Sequence, residues 1–246
     1  MDTHTYENVK LLLSPRQSRG ITYWIYKTLP YNPLTDFMPA VLVAYTPMAL
    51  VINPSLVKAN TLQEFVTATK TAPRTFDYAS SGAGGPHHLT MEAFKAAAGI
   101  DLNHVPYKGG APALQDVLSG QVPAMFSVVS TSLPHARAGK LKILAVAALK
   151  RSPLVPDVPT IAESGYPGFE MGAWAGIVAP RGTPQAIIEK IQVDALKIVR
   201  EGHFAEKLAG AGAQPLPGTA EEFATLIRRD TEKNGKLIRS LNIKPE

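Results

Sequence analysis

Thr75-Phe-Asp-Tyr-Ala-Ser-Ser-Gly-Ala-Gly-Gly-Pro-His-His88 runs from a short apolar segment into a serine- and glycine-rich turn, then into a stretch compatible with helix. The spacing predicts a strand over 75–79 and a helix from Pro86 to Ala98. Proline suits the first helical position, and Gly99 sits where a helix ends in the left-handed conformation. The same unit recurs: strand over 103–105, a turn at Lys108-Gly109-Gly110, and a helix over 111–119 with Leu114, Val117 and Leu118 inward. Strand and helix in alternation predict an α/β protein with a largely parallel sheet.

Upstream, 9–13 reads as a strand. Residues 41–44 and 48–52 read as strands on either side of Thr46-Pro47, where proline removes a ladder donor. Thr61-x-x-Glu64 opens a helix whose apolar face is Leu62, Phe65 and Val66. Downstream, 122–126, 141–147 and 174–178 read as strands. Pro153, Pro156 and Pro159 mark an extended, exposed connection, and Thr160-x-x-Glu163 is expected to cap a short helix. Thr183-Pro184 is read as an N-cap and first position of a long helix through Arg200. Its apolar stripe is Ile187, Ile188, Ile191, Ala195, Ile198 and Val199. Thr219-x-x-Glu222 caps a last helix carrying Phe223, Ile227 and Leu237.

The 246 residues suffice for one large domain or two modest ones. A hydrophobic content of 45% and mean hydropathy near zero exclude a largely disordered chain. No apolar run approaches the roughly 18–20 residues a transmembrane helix needs. With no cysteine there is no disulfide, thiolate metal site or thiol nucleophile, and either redox compartment suits the chain. The net charge of +5 is scattered rather than gathered on a tract, which argues against nucleic acid as partner. The first eight residues, with Asp2 and Glu7, lack the basic and apolar regions of a signal peptide. As written, the chain is therefore expected to stay cytoplasmic unless its true start lies upstream.

Ligands in open α/β sheets bind beyond the carboxyl ends of strands. Two such turns are rich in small residues here: Ser80-Ser81-Gly82-Ala83-Gly84 and Tyr107-Lys108-Gly109-Gly110. Each offers free amides at a helix N-terminus, with hydroxyls in the first and an ammonium in the second, which suits a carboxylate or phosphate. The same glycines also suit a tight turn needing positive φ. Nucleotide-binding and nucleophile-elbow patterns are missing. The histidines show no metal-ligand spacing, so neither metal nor cofactor is expected. His87 is read as lying beside the anion turn, and His104 and His135 as structural.

Several ordered runs carry a family resemblance. They include Tyr26-Lys-Thr-Leu-Pro-Tyr-Asn-Pro-Leu-Thr-Asp-Phe37, Asp77-Tyr-Ala-Ser-Ser-Gly82, His104-Val-Pro-Tyr-Lys-Gly109 and Trp174-Ala-Gly-Ile-Val-Ala-Pro180. Lys150-Arg-Ser-Pro153, Pro156-Asp-Val-Pro-Thr160 and Gly182-Thr-Pro184 continue the series. Together they resemble the tripartite tricarboxylate transporter substrate-binding proteins, the Bug family. The resemblance implies a two-domain periplasmic-binding-protein-like (type II) fold with an incomplete first domain. Residues 1–49 and 176–246 would form domain I and 50–175 domain II, with crossings near 45–51 and 174–178. It implies a solute-binding protein, not an enzyme, for a small organic carboxylate, serving membrane transporter subunits in the periplasm. The alternatives are a non-functional remnant or a small hydrolase or transferase.

Matched to the family's ligand loops are Ser80, Ser81, Gly82, Ala83, Gly84 and His87 in the first, and Lys108, Gly109 and Gly110 in the second. Ser127 stands in Phe126-Ser127-Val128 where family members usually carry Phe-Asp-Asn. That exchange removes a cleft-facing charge. The family's opening strand and Pro-Gly-Gly-rich loop have no counterpart, so the chain is expected to be truncated. Residues 14–20, with Arg16 and Arg19, occupy the place of a further ligand loop.

Overall fold

The computed structural model describes residues 12–15, 24, 30–71, 76–210 and 212–241. The loop 14–20 with Arg16 and Arg19, and the start of the strand expected over 9–13, lie largely outside them. The described strands are β1 (Leu12–Pro15), β2 (Phe37–Ile52), β3 (Asp77–Ser80), β4 (Asn103–Pro106), β5 (Ala124–Val128), β6 (Lys142–Val146), β7 (Gly172–Pro180) and β8 (Gln214–Gly218). The helices are α1 (Leu62–Thr71), α2 (Pro86–Ala98), α3 (Gly110–Ser119), α4 (Val129–Arg137), α5 (Gln185–Val199), α6 (Gly202–Gly210) and α7 (Ala220–Ser240). None is long and apolar enough to cross a membrane.

The chain divides into two compact units: Met1–Tyr45 with Ala173–Glu246, and Thr46–Gly172. The second unit holds a sheet in which β2 lies between β5 and β6, and β3 lies between β5 and β4. Its strands β3, β4 and β5 are mutually parallel, while β2 runs antiparallel to both β5 and β6. Side chains alternate across the sheet. Val51, Ala79 and Met125 meet Ala113, Leu114 and Val117 of α3 on one face. On the other, Phe126 meets Phe94 of α2 edge-on at 6.0 Å, and Phe94 also contacts Tyr166 and Phe169. Coverage on both faces explains why Met48 to Ile52 are all buried.

In the first unit, β7 is hydrogen-bonded between β1 and β2, and β8 pairs antiparallel with β2. Leu42, Trp174 and Val178 pack on Phe223 and Ile227 of α7. The Trp174 indole N–H donates to the buried Asp230 carboxylate at 2.7 Å. Ala40 and Ala179 receive Ile188 and Ile191 of α5.

Several expectations need correction. The sheet is mixed rather than largely parallel, because β2 serves both units and its pairings with β5, β6 and β8 are all antiparallel. The two strands expected around Pro47 are one continuous strand. Tyr45 pairs with Gln214 of β8 and Met48 with Val128 of β5, so Pro47 sits between the two registers, where no donor is demanded of it. Thr183 does not cap α5; its hydroxyl donates to the Pro180 carbonyl, and Pro184 is the N-cap. Thr160 and Glu163 form their reciprocal hydrogen bonds, yet only a turn follows, since Gly165 at φ 103° diverts the chain. Ile198, expected in the apolar stripe of α5, is half exposed.

Candidate anion-binding site

β3, β4 and β5 leave one edge of the second unit's sheet in the same direction, and each feeds a helix: α2, α3 and α4. All three helices start without a side-chain cap, with Gly85, Gly109 and Val128 at the N-cap. Of the other helices, α5 also starts uncapped at Pro184, whereas α1 and α7 are capped. Thr61 accepts from the Glu64 amide at 3.1 Å ahead of α1, and Thr219 with Glu222 forms a full capping box on α7. The first amides of a helix have no intrahelical acceptor and carry the positive end of its dipole. Three uncapped starts on one sheet edge place together three sets of donors without an intrahelical acceptor, an arrangement suited to an anion.

The first loop is held from within. The Gly82 amide donates to Ser80 Oγ at 3.1 Å, and Ser80 Oγ lies 2.6 Å from His104 Nε2. The Gly84 amide donates to His88 Nδ1 at 2.9 Å. Ser81 Oγ lies 2.6 Å from His87 Nδ1. Gly84 at φ 70° and Gly109 at φ 120° adopt backbone that other residues rarely reach, as the tight-turn reading of these glycines expects.

The loops also touch. The Tyr107 amide donates to the Ser80 carbonyl at 3.0 Å, and a Cβ on Gly110 would lie 3.2 Å from His87 Cε1. Tyr107 closes the second loop by donating to Asp116 Oδ2 at 2.6 Å. Burial, with that carboxylate, pushes its hydroxyl up to about 12.

The expected residues are thus distributed in three groups. Ser81, Gly82, Ala83, Gly84 and His87 form one, with Ala83 exposed and Gly84 buried. Gly109 and Gly110 adjoin them, and the Lys108 side chain is exposed. Ser80 is fully buried, with its hydroxyl engaged by His104 and Gly82 rather than presented outward. Ser127 is buried on β5, 3.3 Å from Thr131 Oγ1 at the start of α4. In register, Ala79 pairs with Met125, so Ser81 and Ser127 lie equal steps beyond that pair.

Burial lowers His87 and His104 to about 4, and His88 is lowered for the same reason. The imidazoles are neutral at neutral pH, which leaves Lys108 as the charged group among the expected residues. The sequence shows His87-His88 only as an adjacent pair ill placed to chelate a metal, and His104, expected to be structural, engages Ser80. The signal available was that Tyr78 and His104 lie on strands two and three residues ahead of the two candidate loops. Their pairing across β3 and β4 is a matter of register. Among the described residues, no cluster of three or more His, Asp or Glu is placed to hold a metal ion.

Two α/β units sharing a long crossing strand, with amide-lined turns at strand ends, define the class of the periplasmic binding proteins. Residues 12–243 match the tripartite tricarboxylate transporter family receptor (TctC), and the chain belongs to that family. It is 35% identical over 216 residues to the UPF0065 protein in the tcbD-tcbE intergenic region of Pseudomonas sp. strain P51. That match covers 87% of this chain and spans 64% of the relative's length. Among solved structures, R. palustris Rpa4515 with adipate superposes with a TM-score of 0.82 at 30% identity, covering 96% of this chain and 79% of that one. MatC from Rhodopseudomonas palustris with bound malate gives a TM-score of 0.74 at 28% identity, covering 93% and 78%.

Proposed function

We propose that the chain is a solute-binding protein that takes a small organic carboxylate at this sheet edge and delivers it to a tripartite tricarboxylate-type transporter in the periplasm. The observation that carries the reading is the convergence of three uncapped helix starts on parallel strands, with Lys108 beside them. A carboxylate there accepts from amides of the two glycine loops and from the Ser81 hydroxyl. Ser80, Gly82, Ala83, Gly84, His87, Gly109 and Gly110 shape and line that cradle, and Ser127 contributes a hydroxyl from β5. The ligands of two solved relatives, adipate and malate, are of this class.

Binding rather than catalysis also fits the Ser81–His87 pair. An imidazole lowered to about 4 is a weak base at neutral pH, and general bases work best with a pKa near the operating pH. The test is calorimetric titration of adipate and malate into the full chain and into Ser81→Ala and Lys108→Ala. Saturable binding weakened by about five- to tenfold in each variant is expected, the size of one hydrogen bond. Unaltered affinity in both variants, or hydrolysis of an ester substrate lost on Ser81→Ala, would overturn the reading.

A further inference from the structure

His88 lies just behind the first loop, with 7% of its surface exposed, and its ring stacks on His104 at 4.0 Å between centroids. His104 in turn stacks on Tyr78 at 5.0 Å. The stack is anchored below by the Tyr78 hydroxyl, which donates to Glu92 Oε1 at 2.5 Å. Lys95 holds Glu92 at 2.8 Å and donates to the Leu102 carbonyl at 2.9 Å. Above, the two imidazoles grip opposite ends of the loop: His104 at the Ser80 hydroxyl and His88 at the Gly84 amide.

An amide N–H can only donate, so His88 Nδ1 must present its lone pair to Gly84, and in the neutral ring the proton sits on Nε2. We propose that His88 is a positioning residue for the anion site: its neutral, Nε2-protonated imidazole fixes Gly84, and through it the shape of the first loop. This rests on the binding reading above. Protonation would set two donors, Nδ1–H and the Gly84 N–H, against each other in a buried space, and the loop would lose its anchor. The groups facing His88 are Glu92 and Lys95 on its own helix, Tyr78 on β3 and His104 on β4. Burial outweighs the attraction of Glu92 and keeps the ring neutral.

Two measurements on the full chain test this. The first is nitrogen-15 NMR of the histidine rings without ligand. It should show His88 protonated at Nε2 and bare at Nδ1, with the Gly82 and Gly84 amide signals displaced in His88→Ala and largely restored in His88→Asn. Asparagine places a non-titrating acceptor near the position of Nδ1. A His88 ring protonated at Nδ1, or Gly84 signals indifferent to both variants, would overturn the proposal whether or not any anion binds.

The second is calorimetric titration with adipate at pH 7.5 and 5.0, with circular dichroism as a check on folding. His88→Ala should weaken binding about tenfold at pH 7.5, and His88→Asn should recover most of it. On acidification the wild type should lose more affinity than His88→Asn only once the nitrogen-15 spectra show His88 taking up a second proton, since adipate's own titration is common to both. Undiminished affinity in folded His88→Ala at pH 7.5, or profiles that diverge while His88 stays neutral, would refute the positioning role. Silence from the wild type with adipate and malate would count against the binding reading alone, and the NMR result would still decide on His88.

Discussion

At Gly176 the absence of a side chain is a packing requirement. A Cβ there would run into the Phe223 ring and come within 2.7 Å of the Val41 carbonyl oxygen. Gly176→Ala should therefore lower stability by about 1–3 kcal/mol, the usual cost of overpacking, measured by urea unfolding. The buried imidazoles make a second expectation. Unfolded histidine takes up its proton near pH 6.5, while folded His87 and His104 do so only near 4. Between those values the unfolded chain binds more protons, so acidification favours unfolding. The urea midpoint should be insensitive to these groups above about pH 6.5 and fall from there toward pH 4. His104→Gln should make that decline shallower, and an unchanged pH profile in the variant would contradict this assignment. Neither feature was legible beforehand. The residues were visible, but the partner of Gly176 lies 47 positions away on α7, and the histidine stack depends on the β3–β4 register.

Helix boundaries were legible where capping chemistry was local. Pro86 and Gly99 bound α2 as expected, with Gly99 at φ 61°, and Thr219 with Glu222 opens α7. Thr219→Ala should cost about 1 kcal/mol of stability and leave anion affinity unchanged, read by urea unfolding beside calorimetric titration with adipate. What local chemistry hid were elements made by their neighbours. α4 contains Pro134, and β8 is Gln-Pro-Leu-Pro-Gly, a poor strand by propensity. β8 forms because it lies along β2, pairing at Leu42, Ala44 and Tyr45 with a shift in register between Leu42 and Ala44. Prolines are tolerated at such irregular pairings. The Thr160–Glu163 box shows the converse: a cap forms, and Gly165 prevents the helix it would start.

For the whole molecule, the repeated strand–turn–helix pattern identified an α/β chain, and two candidate loops lay at real strand ends. Local pattern alone splits 37–52 into two pieces around Pro47, and it was the family resemblance that put a crossing near 45–51, within β2. The central claim concerns backbone amides, which side-chain substitution reaches only indirectly. Amide chemical-shift mapping of the full chain during titration with adipate and malate tests it most directly. Saturable shifts at Ser81, Gly82, Ala83, Gly109 and Gly110 are expected. Saturable shifts confined to another surface would contradict the claim, for example the groove lined by Asn53, Gln115, His135 and Lys140. So would amides that stay still across the titration in the folded protein.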